Sequence, residues 1–301
     1  MLLSDNEALF VEIITKIYEI TGIQQTYIEK DFFAISILKE LVSRNDKFVF
    51  KGGTSLSVCQ KAINRFSEDI DVSYLDEHIT VGQRKQIKQA FFDSIEAVSL
   101  KVSNSDNIHS RRVFNRYLCP YISLFSGQED KVIAEWATQT PSFPVEEKTA
   151  QTIIGQYFES IGRDDLVEQY GLERFTVKTI TKERTLVDKI FAICDYHISG
   201  KLDRQSRHIY DIHQLLPLVK LDDDFLKLFN RVKEYRVYLD TCYSAKEGQT
   251  ISSLLDELIM KGTYRNDYNI RTFPLLYDGV TYNVAISSIK IVSEFLKKHN
   301  I

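Results

Sequence analysis

The chain has 301 residues, a formal net charge of -4 and 44% hydrophobic residues, enough for two lobes or one large domain with a sizeable core. The composition excludes a disordered protein, and the acidic balance argues against a surface that coats nucleic acid generally, although it permits a local basic path for RNA. The apolar runs are far shorter than a membrane span and the N-terminus has no basic segment, so we expect a cytoplasmic protein without a membrane partner.

The four cysteines form no metal-binding or disulfide pattern. They are Cys59, Cys119, Cys194 and Cys242, and the chain contains no CxxC or HxxxH spacing. We therefore expect reduced thiols in the core and no structural zinc site.

The first two predicted elements are amphipathic helices. A capping box at residues 4–7 opens the first, and residues 26–29 open the second, which runs to about Val42. Each has an apolar face, formed by Phe10, Ile13, Ile14, Ile17 and Tyr18 in the first and by Ile28, Phe32, Ile35, Leu38 and Leu41 in the second. We expect these faces to pack against a sheet, and the charged residues Glu29, Lys30 and Asp31 to lie on the solvated side.

The next stretch, residues 48–75, predicts a strand, a glycine turn, a short helix, a loop and a second strand. Gly52 and Gly53 allow a tight turn and a close approach of the backbone to a ligand. Thr54 and Ser55 come at the start of the helix, which we place from Leu56 to about residue 62. Free N–H groups and the positive end of the helix dipole make this a suitable place for phosphate.

Two aspartates follow the loop. Alternation in a strand puts Asp69 and Asp71 on one face and Ile70 and Val72 on the other. Neighbouring carboxylates repel each other unless a cation lies between them. A phosphate-binding turn followed by such a strand predicts metal-assisted phosphoryl or nucleotidyl transfer. The alternative is a glycine hairpin followed by a solvated acidic strand.

Further strands and then helices complete the chain. A helix from Thr80 to about residue 98 precedes a strand at 111–125 and another at 131–137, in which Glu135 is the only acid. From about Thr181 the pattern is wholly helical. We place a boundary between residues 175 and 176. Basic and aromatic residues at 264–271, and Arg111, Arg112 and Arg116, are interpreted as surface residues rather than as RNA contacts.

The glycine pair followed by Asp69-Ile70-Asp71 resembles the signature of the DNA polymerase β-like nucleotidyltransferase superfamily. The longer strings, KGGTSL at 51–56 and RFSEDID at 65–71, resemble the AbiEii-like toxins, which include the MenT toxins. These are the nucleotidyltransferases of abortive-infection and type IV toxin–antitoxin systems. Later segments at 183–190 and 207–212 also resemble this family, so that the likeness covers roughly residues 25–215.

The resemblance implies an α+β fold: a mixed sheet flanked by helices (residues 1–175), with a C-terminal helical lobe (176–301) that completes the active site. It implies Mg²⁺ or Mn²⁺ held by Asp69, Asp71 and Glu135, the last also helping to deprotonate the attacking hydroxyl. An NTP would be bound by residues of the glycine turn and its neighbours, namely Gly52, Gly53, Thr54, Ser55 and Ser67.

The resemblance assigns two catalytic residues to the helical lobe. Lys189 would offer a positive charge to the nucleotide phosphates, and Asp211 would orient that lysine or a bound hydroxyl. The alternative is a salt bridge between the two residues that holds the helices together. Both can be true, since coupled acid–base pairs often lie in clefts.

The implied activity is transfer of NMP from an NTP to a tRNA 3′ end, which would block translation. By the same resemblance, a separate antitoxin, often a winged-helix repressor, would restrain the toxin. Two alternatives remain open: NMP transfer to a protein hydroxyl, as in AMPylation, and a non-catalytic nucleotide-binding module of a toxin–antitoxin pair.

Overall fold

The computed structural model describes residues 2–105, 109–111 and 114–301. Arg112, one of the basic residues considered above, lies outside these residues. The chain forms two compact units: a sheet unit, made of the residues up to Cys59 together with Ser67–Thr179, and a helical unit, made of Gln60–Phe66 together with Ile180–Ile301. Within the described ranges, no helix is long and apolar enough to cross a membrane.

The sheet unit contains a seven-stranded sheet and six helices among its described residues. The helices are α1 (Glu7–Thr21), α2 (Gln25–Arg44), α3 (Gly52–Val58), α4 (Val81–Ala97), α5 (Ile153–Ser160) and α6 (Asp164–Gln169). The strands are β1 (Phe48–Lys51), β2 (Ile70–Tyr74), β3 (His109–Arg111), β4 (Phe114–Ile122), β5 (Glu129–Ala137), β6 (Val145–Ala150) and β7 (Phe175–Ile180).

The strand order is β3-β4-β5-β2-β1-β7-β6. The sheet is mixed: β2 is parallel to β5 and antiparallel to β1, and β1 is parallel to β7. Phe48, Val49 and Phe50 are all buried, as expected for a central strand without polar alternation. The predicted α+β class with a mixed sheet is therefore confirmed.

The two N-terminal helices contribute their predicted apolar faces to the core, except that Tyr18 is 40% exposed. Their first residues differ from the prediction. α1 is capped by Asn6, whose side chain accepts a hydrogen bond from the N–H of Leu9, because Leu3–Asp5 forms a separate 3₁₀ turn. α2 follows Gln24, whose side chain makes no capping hydrogen bond.

The helical unit consists of helices and short turns along its described length. Its helices are α7 (Lys182–Ser199), α8 (Arg207–Leu215), α9 (Asp223–Arg236), α10 (Ile251–Lys261), α11 (Arg265–Asp267) and α12 (Tyr282–Lys297). The interpretation of residues 264–271 as a surface loop holds for Arg265 and Arg271, which are exposed, but is wrong for the two tyrosines and for the loop conformation. The segment is helical, and Tyr264 and Tyr268 are fully buried, because both hydroxyls find main-chain carbonyls as acceptors.

Candidate active site

The glycine turn brings the end of β1 against β2. Gly52 has a φ of +77°, and a Cβ atom built at this position would lie 2.2 Å from Oδ2 of Asp71. Lys51 and Asp71 are register partners in the antiparallel pair. Only glycine satisfies both the positive φ and the contact with the aspartate. The close approach predicted for this turn is thus made, in this structure, by a carboxylate of the neighbouring strand.

The helix after the turn begins earlier than predicted. α3 runs from Gly52 to Val58 rather than from Leu56 to residue 62, because the helix starts directly at the positive-φ glycine. Thr54 and Ser55 therefore lie in its first turn, and each is 2% exposed.

The Thr54 hydroxyl fixes the loop that precedes β2. It donates a hydrogen bond of 2.7 Å to the main-chain oxygen of Asp69 and makes a second one, of 3.0 Å, with the Ser67 hydroxyl. The buried Ser55 hydroxyl has no hydrogen-bond partner among the described residues. Of the three predicted phosphate-binding hydroxyls, two hold the loop that carries Asp69 and one remains unsatisfied.

The structure aligns two of the three predicted metal ligands. Asp71 of β2 is in register with Glu135 of the parallel strand β5, and Asp69 comes directly before β2. Ile70 and Val72 are fully buried in the core, whereas Asp69 and Asp71 are partly exposed. The alternation that predicted this arrangement is therefore confirmed.

Glu135 does not stand alone on its strand. It forms an ion pair with Arg116, its register partner on β4. Across the described ranges, no three His, Cys, Asp or Glu side chains are placed closely enough to hold a metal ion as they stand. The donor set nevertheless suits a hard divalent cation, since carboxylate oxygens are the ligands that Mg²⁺ and Mn²⁺ prefer.

The other two predicted catalytic residues form a buried cluster in the helical unit. Lys189 of α7 donates a hydrogen bond of 2.5 Å to Oδ2 of Asp211 on α8. Arg65 binds the same carboxylate through two nitrogens, at 2.7 and 2.9 Å. Exposure is 0% for Asp211, 4% for Arg65 and 5% for Lys189. The predicted salt bridge between the helices is present, and it has a third member.

Charge compensation dominates this cluster. Burial alone would raise the pKa of Asp211, but Arg65 and Lys189 hold it well below its ordinary value. Burial lowers the pKa of Lys189, an effect that Asp211 opposes. Sequence reasoning missed the role of Arg65, although this residue opens the RFSEDID string on which the resemblance rests.

The charged triplet Glu29, Lys30 and Asp31 is not a solvated face, and that prediction is wrong. Glu29 and Lys30 are 1% and 8% exposed. They are buried because each has partners: Glu29 accepts hydrogen bonds from the Ser123 hydroxyl and the N–H of Leu124, and Lys30 pairs with two carboxylates. The Asp31 carboxylate accepts a hydrogen bond from the N–H at the start of α5.

Two Helicobacter pylori crystal structures share this fold. One, of a protein called a "putative nucleotidyltransferase", is 16% identical and has a TM-score of 0.51, covering 92% of this chain and 97% of that chain. The other, of JHP933, has the same identity and TM-score and covers 92% of this chain and 94% of its own. At this identity the likeness shows the fold alone.

The sequence identifies the family. The family of the nucleotidyl transferase AbiEii toxin, type IV toxin–antitoxin system, matches residues 36–279. The chain therefore belongs to the AbiEii family of nucleotidyltransferase toxins, which implies an NTP as substrate and an antitoxin as partner. No protein of the curated set matches it.

Proposed function

We propose that this toxin transfers NMP from an NTP to the 3′ end of a tRNA, with Mg²⁺ or Mn²⁺ held by Asp69, Asp71 and Glu135. The observation that carries the proposal is the register of Asp71 with Glu135 on adjacent parallel strands, beside the turn at Gly52. The acceptor rests on the family resemblance. A modified tRNA 3′ end could not be aminoacylated, which accounts for toxicity through arrested translation.

The three carboxylates would act as oxygen ligands at the two adjacent interior strands β2 and β5. When bound, divalent cations neutralise the triphosphate and lower the pKa of the attacking hydroxyl. Arg116 binds Oε1 of Glu135, so the arginine and a metal ion would compete for that oxygen.

The glycine turn would bind the triphosphate. The main-chain N–H groups of Gly52 and Gly53 would be the donors. The Ser55 hydroxyl, which is buried and has no hydrogen-bond partner among the described residues, would be a further donor if nucleotide binding opens the turn. Thr54 and Ser67 would keep the loop before β2 in place while the nucleotide binds.

The buried cluster of the helical unit would contribute positive charge. Lys189 would stabilise the nucleotide phosphates, and Asp211 would orient the lysine. Arg65 binds both oxygens of Asp211, so that one carboxylate serves two cations. A cognate antitoxin of the winged-helix repressor type would restrain the toxin, and growth rescue on coexpression tests this partner.

The experiment is incubation of the purified protein with each α-labelled NTP, Mg²⁺ and total bacterial tRNA, followed by a denaturing gel. We expect a labelled tRNA band that is abolished in Asp69→Ala, because that variant removes a metal ligand. Asp46→Ala is the matched control, since the side chain of Asp46 is 86% exposed and lies in the same unit. Circular dichroism verifies that both variants fold.

The other outcomes separate the alternatives. Label on protein alone would favour NMP transfer to a protein hydroxyl. Nucleotide binding without any labelled product would favour the non-catalytic module. Normal transfer by folded Asp69→Ala would contradict the assignment of the metal ligands.

A further inference from the structure

The segment between α3 and β2 has no regular secondary structure where it carries Asp69. Residues 66–69 are neither helix nor strand, so Asp69 lies just outside the ladder that pairs β2 with β5. Side chains that bind the segment therefore contribute to the placement of this aspartate. Thr54 is one of them, through the main-chain oxygen of Asp69 and the hydroxyl of Ser67.

Lys30 of α2 is the second side chain that binds this segment. Its ammonium group lies 2.7 Å from Oε2 of Glu68 and 2.8 Å from Oδ1 of Asp130. Glu68 is the neighbour of Asp69 in the chain, and Asp130 belongs to β5, the strand that carries Glu135. One ammonium group therefore joins the segment that bears one predicted metal ligand to the strand that bears another.

The positive charge of Lys30 also reduces the repulsion between the carboxylates near it. The lysine is 8% exposed, and without it Glu68 would add a negative charge next to Asp69 and Asp71. Like charges in such proximity repel each other and favour an open loop. The lysine both neutralises Glu68 and limits the conformations of the segment.

We infer that Lys30 is a positioning residue for Asp69, an inference that rests on the proposed function of the carboxylates as metal ligands. Lys30 acts through Glu68 and Asp130, and it touches neither substrate nor metal. It sets the spacing between Asp69 and the strand of Glu135 before the metal binds. Residues that orient metal ligands typically change metal affinity about 10- to 100-fold when they are removed.

The test is a Mn²⁺ titration followed by electron paramagnetic resonance, with Lys30→Met, which keeps the length of the side chain and removes its charge. We expect Mn²⁺ affinity to fall by about 10- to 100-fold and Lys30→Arg to recover part of it. The transfer reaction of Lys30→Met should require correspondingly more metal.

Lys39→Met is the matched control. Lys39 lies on the same helix and pairs with Glu173 at 2.6 Å and with the main-chain oxygen of Gly171 at 2.9 Å. Neither partner lies on β2, on β5 or in residues 66–69. It should lose stability without losing Mn²⁺ affinity. If Lys30→Met does not fold, Glu68→Gln decides, because it removes the charge of a partner whose side chain is 38% exposed.

The outcomes distinguish this inference from the proposed function. Wild-type Mn²⁺ affinity in folded Lys30→Met, or in Glu68→Gln where that variant decides, would overturn the positioning role even if the wild type transfers NMP. A wild type that binds Mn²⁺ but transfers nothing would overturn the proposed reaction, while reduced Mn²⁺ binding by Lys30→Met would still support the inference. Absence of Mn²⁺ binding by the wild type would overturn both the metal assignment and the inference.

Discussion

The two units hold their charged clusters in opposite ways. In the sheet unit, Asp71 and Glu135 are partly exposed and are aligned by main-chain register. In the helical unit, Arg65, Lys189 and Asp211 are almost completely buried and are held by one another. The first cluster has an excess of negative charge that suits a cation, whereas the second places one carboxylate between two cations.

Because of this difference, we expect the two clusters to respond differently to the loss of a carboxylate. A carboxylate whose position is set by strand pairing can lose its charge without loss of the fold, since the backbone ladder remains. A carboxylate that neutralises two buried cations cannot, because its removal leaves those cations without a partner. Loss of activity and loss of stability should therefore separate in the sheet unit and coincide in the helical unit.

The largest expected loss of stability comes from Asp211→Asn. It should lower the free energy of unfolding by about 3–5 kcal/mol, because breaking a buried ion pair leaves uncompensated charge. Urea unfolding measures the change. Asp203→Asn is the control, since its side chain is 75% exposed and lies 3.5 Å from Arg271 in the same unit. Equal stability of the two variants would contradict the role given to the buried cluster.

The same variant predicts a pH dependence. The pKa of Asp211 is lowered in the folded protein, so its stabilising contribution is present above its ordinary pKa and is lost as the pH falls below about 4. The stability difference between wild type and Asp211→Asn should therefore shrink in acid. Urea midpoints from pH 3 to 7 measure it, and a difference that stays constant across this range would contradict the assignment.

A smaller effect is expected for Gly52→Ala. The new methyl group would meet the Asp71 carboxylate at 2.2 Å, at a residue whose φ is positive, which together should cost about 2–4 kcal/mol. Metal-dependent transfer should fall as well, because Asp71 must move. Gly127→Ala shares the positive φ but has open space around it, so it should cost only about 1 kcal/mol. Equal costs would show that backbone strain alone makes the glycine necessary.

Local patterns in the sequence were sufficient to predict the features that the backbone determines. Alternation predicted the faces of β2, and the glycine pair predicted the turn between β1 and α3. Patterns of charge were not sufficient where partners come from distant segments. Arg65 lies 146 positions from Asp211, and no periodicity indicates such a contact. The same reason explains the error at Glu29 and Lys30, whose partners lie 38 or more positions later in the chain, outside α2.

The smallest expected effect tests that error directly, through Glu29→Gln. Burial raises the pKa of Glu29, against the opposing effect of its hydrogen bonds from Ser123 and Leu124. Its contribution to stability is therefore greatest below its ordinary pKa and is lost as the pH rises through the raised value. Glutamine carries no charge, so the variant should gain on the wild type as the pH rises above about 4, by at most about 1 kcal/mol. Urea unfolding across this range measures the gain, with Glu40→Gln on the exposed side of α2 as the control. A variant that becomes less stable than the wild type as the pH rises would show that the charge of Glu29 stabilises the fold, because Ser123 and Leu124 bind the ionised form.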